Sequence, residues 1–180
     1  MDKQSIIILA LAVVGVGLGI LYIMSTVSKK NQDKPAPADG ASNSVNNANV
    51  QMQLQAYERL ILLVDRIALP NLIARLGKQS MSARDMQHLL TQNIREEFEY
   101  NITQQIYVSS DAWTAVKNLK EQNMLIVNQL ANALPPNATG LDLNKLLLQF
   151  LMNDKKGTLH EVVSEVLSYE AKRLINPNAR

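Results

Sequence analysis

The chain has 180 residues, enough for one or two domains, and its 18 Lys and Arg residues against 16 Asp and Glu residues give a formal net charge of +2. A nucleic-acid-binding domain usually shows a clustered excess of positive charge, so nucleic acid is not an expected partner. The chain has no Cys and only two His, His88 and His160, which excludes a disulfide framework, thiol chemistry and the usual zinc sites. Composition therefore predicts no metal and no cofactor.

The N-terminal segment is apolar enough to cross a membrane. Residues 5–28 carry no charge, and residues 6–24 are apolar apart from three glycines. About twenty helical residues span the roughly 30 Å hydrocarbon layer, whereas the apolar part of a cleaved signal peptide is only about 7 to 15 residues long. Because Lys29 and Lys30 follow the run directly, we predict that residues 1–30 are an uncleaved transmembrane anchor.

The charges beside this span predict its orientation. Lys3 and the terminal amine precede the span, while Lys29, Lys30 and Lys34 follow it. Positive flanks stay in the cytoplasm, so we expect a single-pass protein with a cytoplasmic C-terminal domain. Within the span, Gly15 and Gly19 have the GxxxG spacing of helix dimers, although glycine is also common in membrane helices without a dimer.

Residues 31–50 resemble a linker. Pro35, Pro37, Gly40 and a run of Asn and Ala leave Val45 as the only large apolar residue of residues 31–49. Such a segment buries too little apolar surface to offset the entropy of ordering. We predict a disordered tether with an average span of roughly 25 Å.

Residues 51–176 predict an all-α domain, a bundle of about five or six helices, because Gly and Pro divide them into segments too long for strands. In residues 51–69, apolar side chains such as Tyr57 and Leu60 recur at helical spacing. A short continuation follows from Pro70 to Gly77, and the next helix runs from the Ser82–Asp85 cap to about Tyr107. Two further helices are predicted from Ser110 to about Leu134 and over residues 143–152. The last helix begins with a Thr158–Glu161 cap, and its predicted inner face consists of Val162, Val163, Val166, Leu167 and Leu174.

The helix over residues 83–107 has an unusual pattern. Its apolar residues recur every four positions, whereas a helix turns every 3.6 residues, so the stripe rotates by roughly 200° along the helix. Either this helix is a central element with different neighbours at its two ends, or it breaks. The residues of the stripe are Met86, Leu90, Ile94, Phe98, Ile102 and Ile106.

No arrangement of residues predicts catalysis. The charged group Arg95, Glu96, Glu97 and Glu99 lacks the second acidic motif with a nearby His that a di-metal site needs, so a solvated face is expected. His88 and His160 are each expected at a surface or boundary. Since the chain also lacks a P-loop and a nucleophile elbow, we predict no catalytic, cofactor-binding or metal-binding residue.

Two features indicate association instead. Residues 57–63 (YERLILL) and 64–70 (VDRIALP) repeat at seven residues, which places Arg59 and Arg66 on one line and is compatible with core packing or with a seam for self-association. Residues 146–152 (LLLQFLM) are apolar nearly all round and could form a buried helix or a docking patch.

Residues 57–67 (YERLILLVDRI), residues 94–109 (IREEFEYNITQQIYVS) and Trp113 resemble an uncharacterised family of short bacterial proteins that have one N-terminal membrane helix and a helical domain. The resemblance covers most of residues 51–175. It implies the same architecture and supplies no catalytic or binding residue. We expect the anchor to lie in the cell inner membrane.

Together these features predict a noncatalytic, membrane-tethered interaction or scaffold module that binds a protein partner or a second copy of itself. The alternative is a helical protein that binds a small molecule or lipid between its helices, including an enzyme with an unfamiliar site. An enclosed polar pocket would favour the alternative, and a filled core with an exposed apolar patch would favour the scaffold.

Overall fold

The computed structural model describes residues 40–77, 80–153 and 159–176, and within these ranges every regular element is a helix, joined by short loops and without a strand. This confirms the all-α prediction. The helices are α1 (Gly40–Ile67), α2 (Leu69–Leu76), α3 (Ala83–Tyr100), a 3₁₀ helix (Ile102–Ile106), α4 (Ser110–Asn132), α5 (Gly140–Asn153) and α6 (Leu159–Ile175).

The chain divides into two compact units, Met1–Ser42 and Asn43–Arg180, and the second contains nearly all the described residues. No helix in the described ranges is long and apolar enough to cross a bilayer. The predicted anchor, residues 1–30, lies outside these ranges, as do the linker residues before Gly40.

The predicted linker overlaps the first helix. Residues 40–50 were expected to be disordered, but they form the first turns of α1. No proline follows Pro37 in this segment, and adding a residue to an existing helix gains a hydrogen bond without the cost of nucleation. The helix formed by the apolar repeat therefore continues toward the N-terminus through the Asn-rich sequence as far as Gly40.

The chain turns sharply between α1 and α2, as the sequence predicted near Pro70. Ala68 has a ψ angle of 124°, which is outside the helical region, and Pro70 lies in the first turn of α2. α1 contributes one continuous stripe to the core before this turn. Its buried residues are Ala56, Tyr57, Leu60, Leu63, Val64 and Ile67.

α3 is the central helix and contacts α2, α4 and α5. It ends at Tyr100, so the prediction of one helix as far as Tyr107 is wrong at its C-terminal end. The buried side chain of Asn101 donates to the carbonyl of Glu97 at 2.9 Å, and the 3₁₀ helix follows. The rotating apolar stripe is therefore explained by a central helix that also breaks. Met86, Leu90, Ile94 and Phe98 are buried within α3, whereas Ile102 and Ile106, which follow the break, are exposed.

Side-chain caps set the starts of three helices. Ser82 Oγ accepts from the Asp85 amide at 3.1 Å, which confirms the predicted cap of α3. Ser109 caps α4 in the same way. Thr139 and Asp142 form an unpredicted reciprocal cap, so α5 begins at Gly140 rather than at residue 143. The predicted Thr158 cap lies outside the described residues.

The helices share one hydrophobic core, to which α6 contributes Val163 and Leu167. Val162 was predicted to face inward and is exposed instead. Val163 and Leu167 are four residues apart and so define the inner face, while Val162 lies about 100° away from Val163 around the helix.

Candidate functional site

A groove of about 650 Å³ lies between α1 and α6, and it is open to solvent. Val64 and Asp65 contribute from α1, and the remaining lining residues come from α6: His160, Glu161, Ser164, Glu165, Ser168, Tyr169 and Lys172. A second cavity, beside Asn123, has a volume of about 10 Å³, which is at the lower limit for one water molecule.

The groove is open to solvent, and eight of its nine lining residues are polar or charged. Its carboxylates are Asp65, Glu161 and Glu165, and water between them weakens their attraction for a charged ligand. Small-molecule pockets are usually concave, mostly apolar and able to enclose the ligand. No group of three His, Asp or Glu side chains in the described part of the chain could hold a metal ion.

The charged residues considered in the sequence do not converge on a site. His88 is exposed on α3, and His160 is half-buried at the groove. Glu97 forms a salt bridge with Arg66, and Glu96 accepts from Gln92 at 2.7 Å. Glu97 is therefore a link between α1 and α3 rather than a member of a solvated acidic face.

An exposed apolar surface lies at the C-terminal end of α3. It comprises Tyr100, Ile102, Ile106 and Tyr107, hereafter the 100–107 surface. Tyr100 is 77% exposed and Ile106 is 72% exposed. No charged residue occurs from residue 100 to residue 110. Such a surface can contact apolar groups without removing the hydration of an ion.

Both flanks of this surface are fixed to the bundle. On the α3 side, the ring of Phe98 packs on Trp113 with the centroids 5.0 Å apart, and Lys120 Nζ lies 5.0 Å from the Phe98 centroid. On the α4 side, the amide of Ser109 donates to the hydroxyl of Tyr57 at 3.2 Å. The exposed residues are thus held between two anchored positions.

α5 has a second exposed apolar surface. Leu141, Leu148 and Met152 lie on one face with Lys145, and we call these four residues the α5 stripe. Met152 is 86% exposed, whereas Leu143 and Leu147 on the opposite face are fully buried. The sequence left open whether residues 146–152 form a buried helix or a docking patch. The structure shows features of both, because one side of the helix is buried and its exposed side is also apolar.

Arg59 and Arg66, which lie on one line along α1, have different surroundings. Arg66 pairs with Glu97 of α3, and this hydrogen bond and the carboxylate charge raise the pKa of Arg66. Arg59 is exposed. Because Tyr57, Leu60, Val64 and Ile67 are buried in the bundle, the seven-residue repeat serves core packing.

Comparison with protein families shows which family contains this chain. Residues 2–174 match the family of unknown function DUF7935. The chain belongs to this family. Comparison with curated proteins finds no match, and neither does comparison with solved structures. The family confirms the resemblance to an uncharacterised family and adds no functional residue.

Sequence reasoning missed the 100–107 surface because it placed Ile102 and Ile106 in a buried stripe. A signal was nevertheless present. Eleven uncharged residues, including two of the five Tyr, follow directly after residues 95–99, of which four are charged. This change of composition marks the end of α3.

Proposed function

We propose that this member of DUF7935 is a noncatalytic interaction module, tethered to a membrane by residues 5–28, whose α5 stripe binds a protein partner or a second copy of the chain. The observation that carries the proposal is the exposure of Leu141, Leu148 and Met152 on a helix whose other face fills the core. Exposed apolar residues that lie together are typical of protein contacts.

The tether is tested by flotation of the full chain with phospholipid vesicles. Val14→Arg with Leu18→Arg places two charges in the middle of the proposed span, which opposes insertion by several kcal/mol. We expect the wild-type chain to float with the vesicles and this variant to remain in the aqueous fraction. Equal flotation of the two proteins would contradict a span at residues 5–28.

The partner surface is tested with Leu148→Gln and Met152→Gln together in the full chain. We expect them to reduce self-association in detergent, measured by sedimentation velocity, or the yield of cross-linked complexes in native membranes. Gln149→Ala is the matched control, because Gln149 is an exposed polar residue of the same helix. Equal assembly of the wild type, the double variant and the control would contradict a contact at the α5 stripe.

A second candidate function is the binding of a small polar ligand in the groove between α1 and α6. Its volume lies within the usual range of ligand sites, roughly 300 to 1,000 Å³. Its openness favours the interaction module, because a ligand there would remain in contact with solvent. A compound that binds the wild type but not a Glu165→Gln variant would support this second candidate.

A further inference from the structure

The 100–107 surface lies at the end of the bundle that α1 enters. The Tyr57 hydroxyl accepts from the Ser109 amide at 3.2 Å and donates to Glu170 at 2.6 Å. Tyr57, the start of α4 and the last turns of α6 therefore lie at the same end of the bundle. Ile175, at the end of α6, is also exposed there.

The burial pattern of α1 shows where the bundle ends. Val50, Gln53 and Leu54 are half-buried, whereas residues 47–49 are exposed. The bundle therefore begins near Val50. Towards the N-terminus, α1 continues to Gly40, a length of about 15 Å.

Chain length limits how far this end can lie from the proposed membrane span. Residues 29–39 connect residue 28 to α1, and even fully extended they cover only about 40 Å. Together with the first turns of α1, the bundle end is within about 55 Å of the span. The length of the connecting chain therefore allows this end of the bundle to reach the surface of the bilayer.

We propose that the 100–107 surface docks on the bilayer that holds residues 5–28, an inference that rests on the proposed membrane tether. Tyrosine is suited to this position because its ring enters the boundary of the acyl chains while its hydroxyl stays among the headgroups. Ile102 and Ile106 supply the buried apolar area. Since residues 100–110 carry no charge, the contact forms on neutral lipid and persists at high salt.

The absence of Cys permits a direct test in the full chain. Gln105 is exposed within the surface, and Asn137 is exposed in the loop between α4 and α5. Asn137 is next to Ala138, whose carbonyl accepts from Ala83 at the start of α3, so it lies at the opposite end of α3 from Tyr100. Each position is changed to Cys separately and labelled with an environment-sensitive fluorophore.

The labelled proteins are inserted into vesicles of phosphatidylcholine whose acyl chains carry bromine, a contact quencher. We expect the label in Gln105→Cys to shift to the blue and to lose emission in brominated vesicles relative to unbrominated ones, at low and at high salt. The label in Asn137→Cys should show neither change. Adding Ile102→Glu and Ile106→Glu should abolish the quenching at position 105 while flotation is retained.

Flotation of the chain without quenching at position 105 would overturn the inference and leave the tether standing. Failure of the chain to float would contradict the tether and the inference together. A blue shift that depends on protein concentration and is insensitive to bromine would assign the surface to a second copy of the chain, which also overturns the inference. Equal quenching at positions 105 and 137 would show that the surface is not the side that docks.

Discussion

At the residue scale, two buried asparagines have different environments. Asn123 of α4 donates to the carbonyl of Ile67 at 2.8 Å, where the turn after α1 interrupts the helical hydrogen bonds. Asn144 of α5 donates to Gly77 at only 3.5 Å, and its Oδ1 has no hydrogen-bond partner in the part of the chain that the structure describes. A satisfied buried amide stabilises the fold, whereas an unsatisfied one opposes it.

We therefore expect Asn123→Leu to lower the free energy of unfolding by about 1 to 3 kcal/mol, because the Ile67 carbonyl is left buried without a donor. Asn144→Leu, of similar size, should be neutral or stabilising, because it removes an unpaired oxygen and only a long hydrogen bond. Urea denaturation followed by the fluorescence of Trp113, the single Trp, measures both. Equal losses in the two variants would contradict this distinction.

Tyr57 connects three helices and predicts a pH dependence. Its hydroxyl lies between Glu170 and the Ser109 amide, and burial, followed by the hydrogen bond to Glu170, raises the pKa of Tyr57 from 10.0 to about 12. Below pH 10 the phenol is protonated in both the folded and the unfolded chain. Between pH 10 and about 12 it ionises first in the unfolded chain, so its contribution to stability is lost over that interval.

The measurement compares the wild type with Tyr57→Phe, which cannot ionise. At pH 8 the variant should be less stable, because Glu170 and the Ser109 amide lose their partner. As the pH rises from 10 to about 12, the stability difference should shrink by roughly 2 to 3 kcal/mol. Parallel pH profiles of the two proteins, from denaturant titrations, would contradict the raised pKa.

At the scale of elements, one ionic contact joins three helices. Glu97 of α3 binds Arg66 of α1, Arg75 Nη2 of α2 lies 4.0 Å from the same carboxylate, and Arg75 also donates to the Arg66 carbonyl at 3.3 Å. Arg66 remains 45% exposed. Solvent therefore limits the contribution of the pair to about 1 kcal/mol or less.

We expect Arg66→Glu to lower the thermal stability slightly, and Glu97→Arg in the same chain to recover part of it, because the opposite charges are then exchanged across the contact while the new arginine faces Arg75. Arg59→Glu, seven residues away on the same helix, should leave the melting temperature unchanged. If Arg59→Glu weakens assembly without changing the melt, the partner contact includes this face of α1. If the exchanged pair fails to recover stability, the contact depends on geometry rather than on charge.

At the scale of the whole molecule, the proposed tether predicts a topology. The Lys residues after the span favour a cytoplasmic domain. Ser44→Cys introduces the only thiol of the chain, and we expect it to resist a membrane-impermeant reagent in intact cells and to react after lysis. Labelling in intact cells with a permeable outer membrane would reverse the orientation and place the α5 stripe in the other compartment.

The sequence by itself determined the features that depend on neighbouring residues. The all-α class, the turn at Pro70, the Ser82 cap and the core stripe of α1 follow from helical spacing and from hydrogen bonds over three or four residues. The absence of a recognisable catalytic motif is also a property of the sequence. Residues 40–50 are the exception, because their polar composition predicted a linker although they continue the helix of the apolar residues that follow them.

Only the tertiary structure decided which apolar residues are covered. Ile106 and Met152 have the same apolar character as the core residues Ile94 and Leu147, yet they are exposed because no described neighbouring helix covers their faces. The pairing of Arg66 with Glu97, the outward position of Val162 and the role of Asn123 likewise depend on residues distant in sequence. Periodicity specifies a face of a helix, but the packing of the other helices decides whether that face meets the core or a partner.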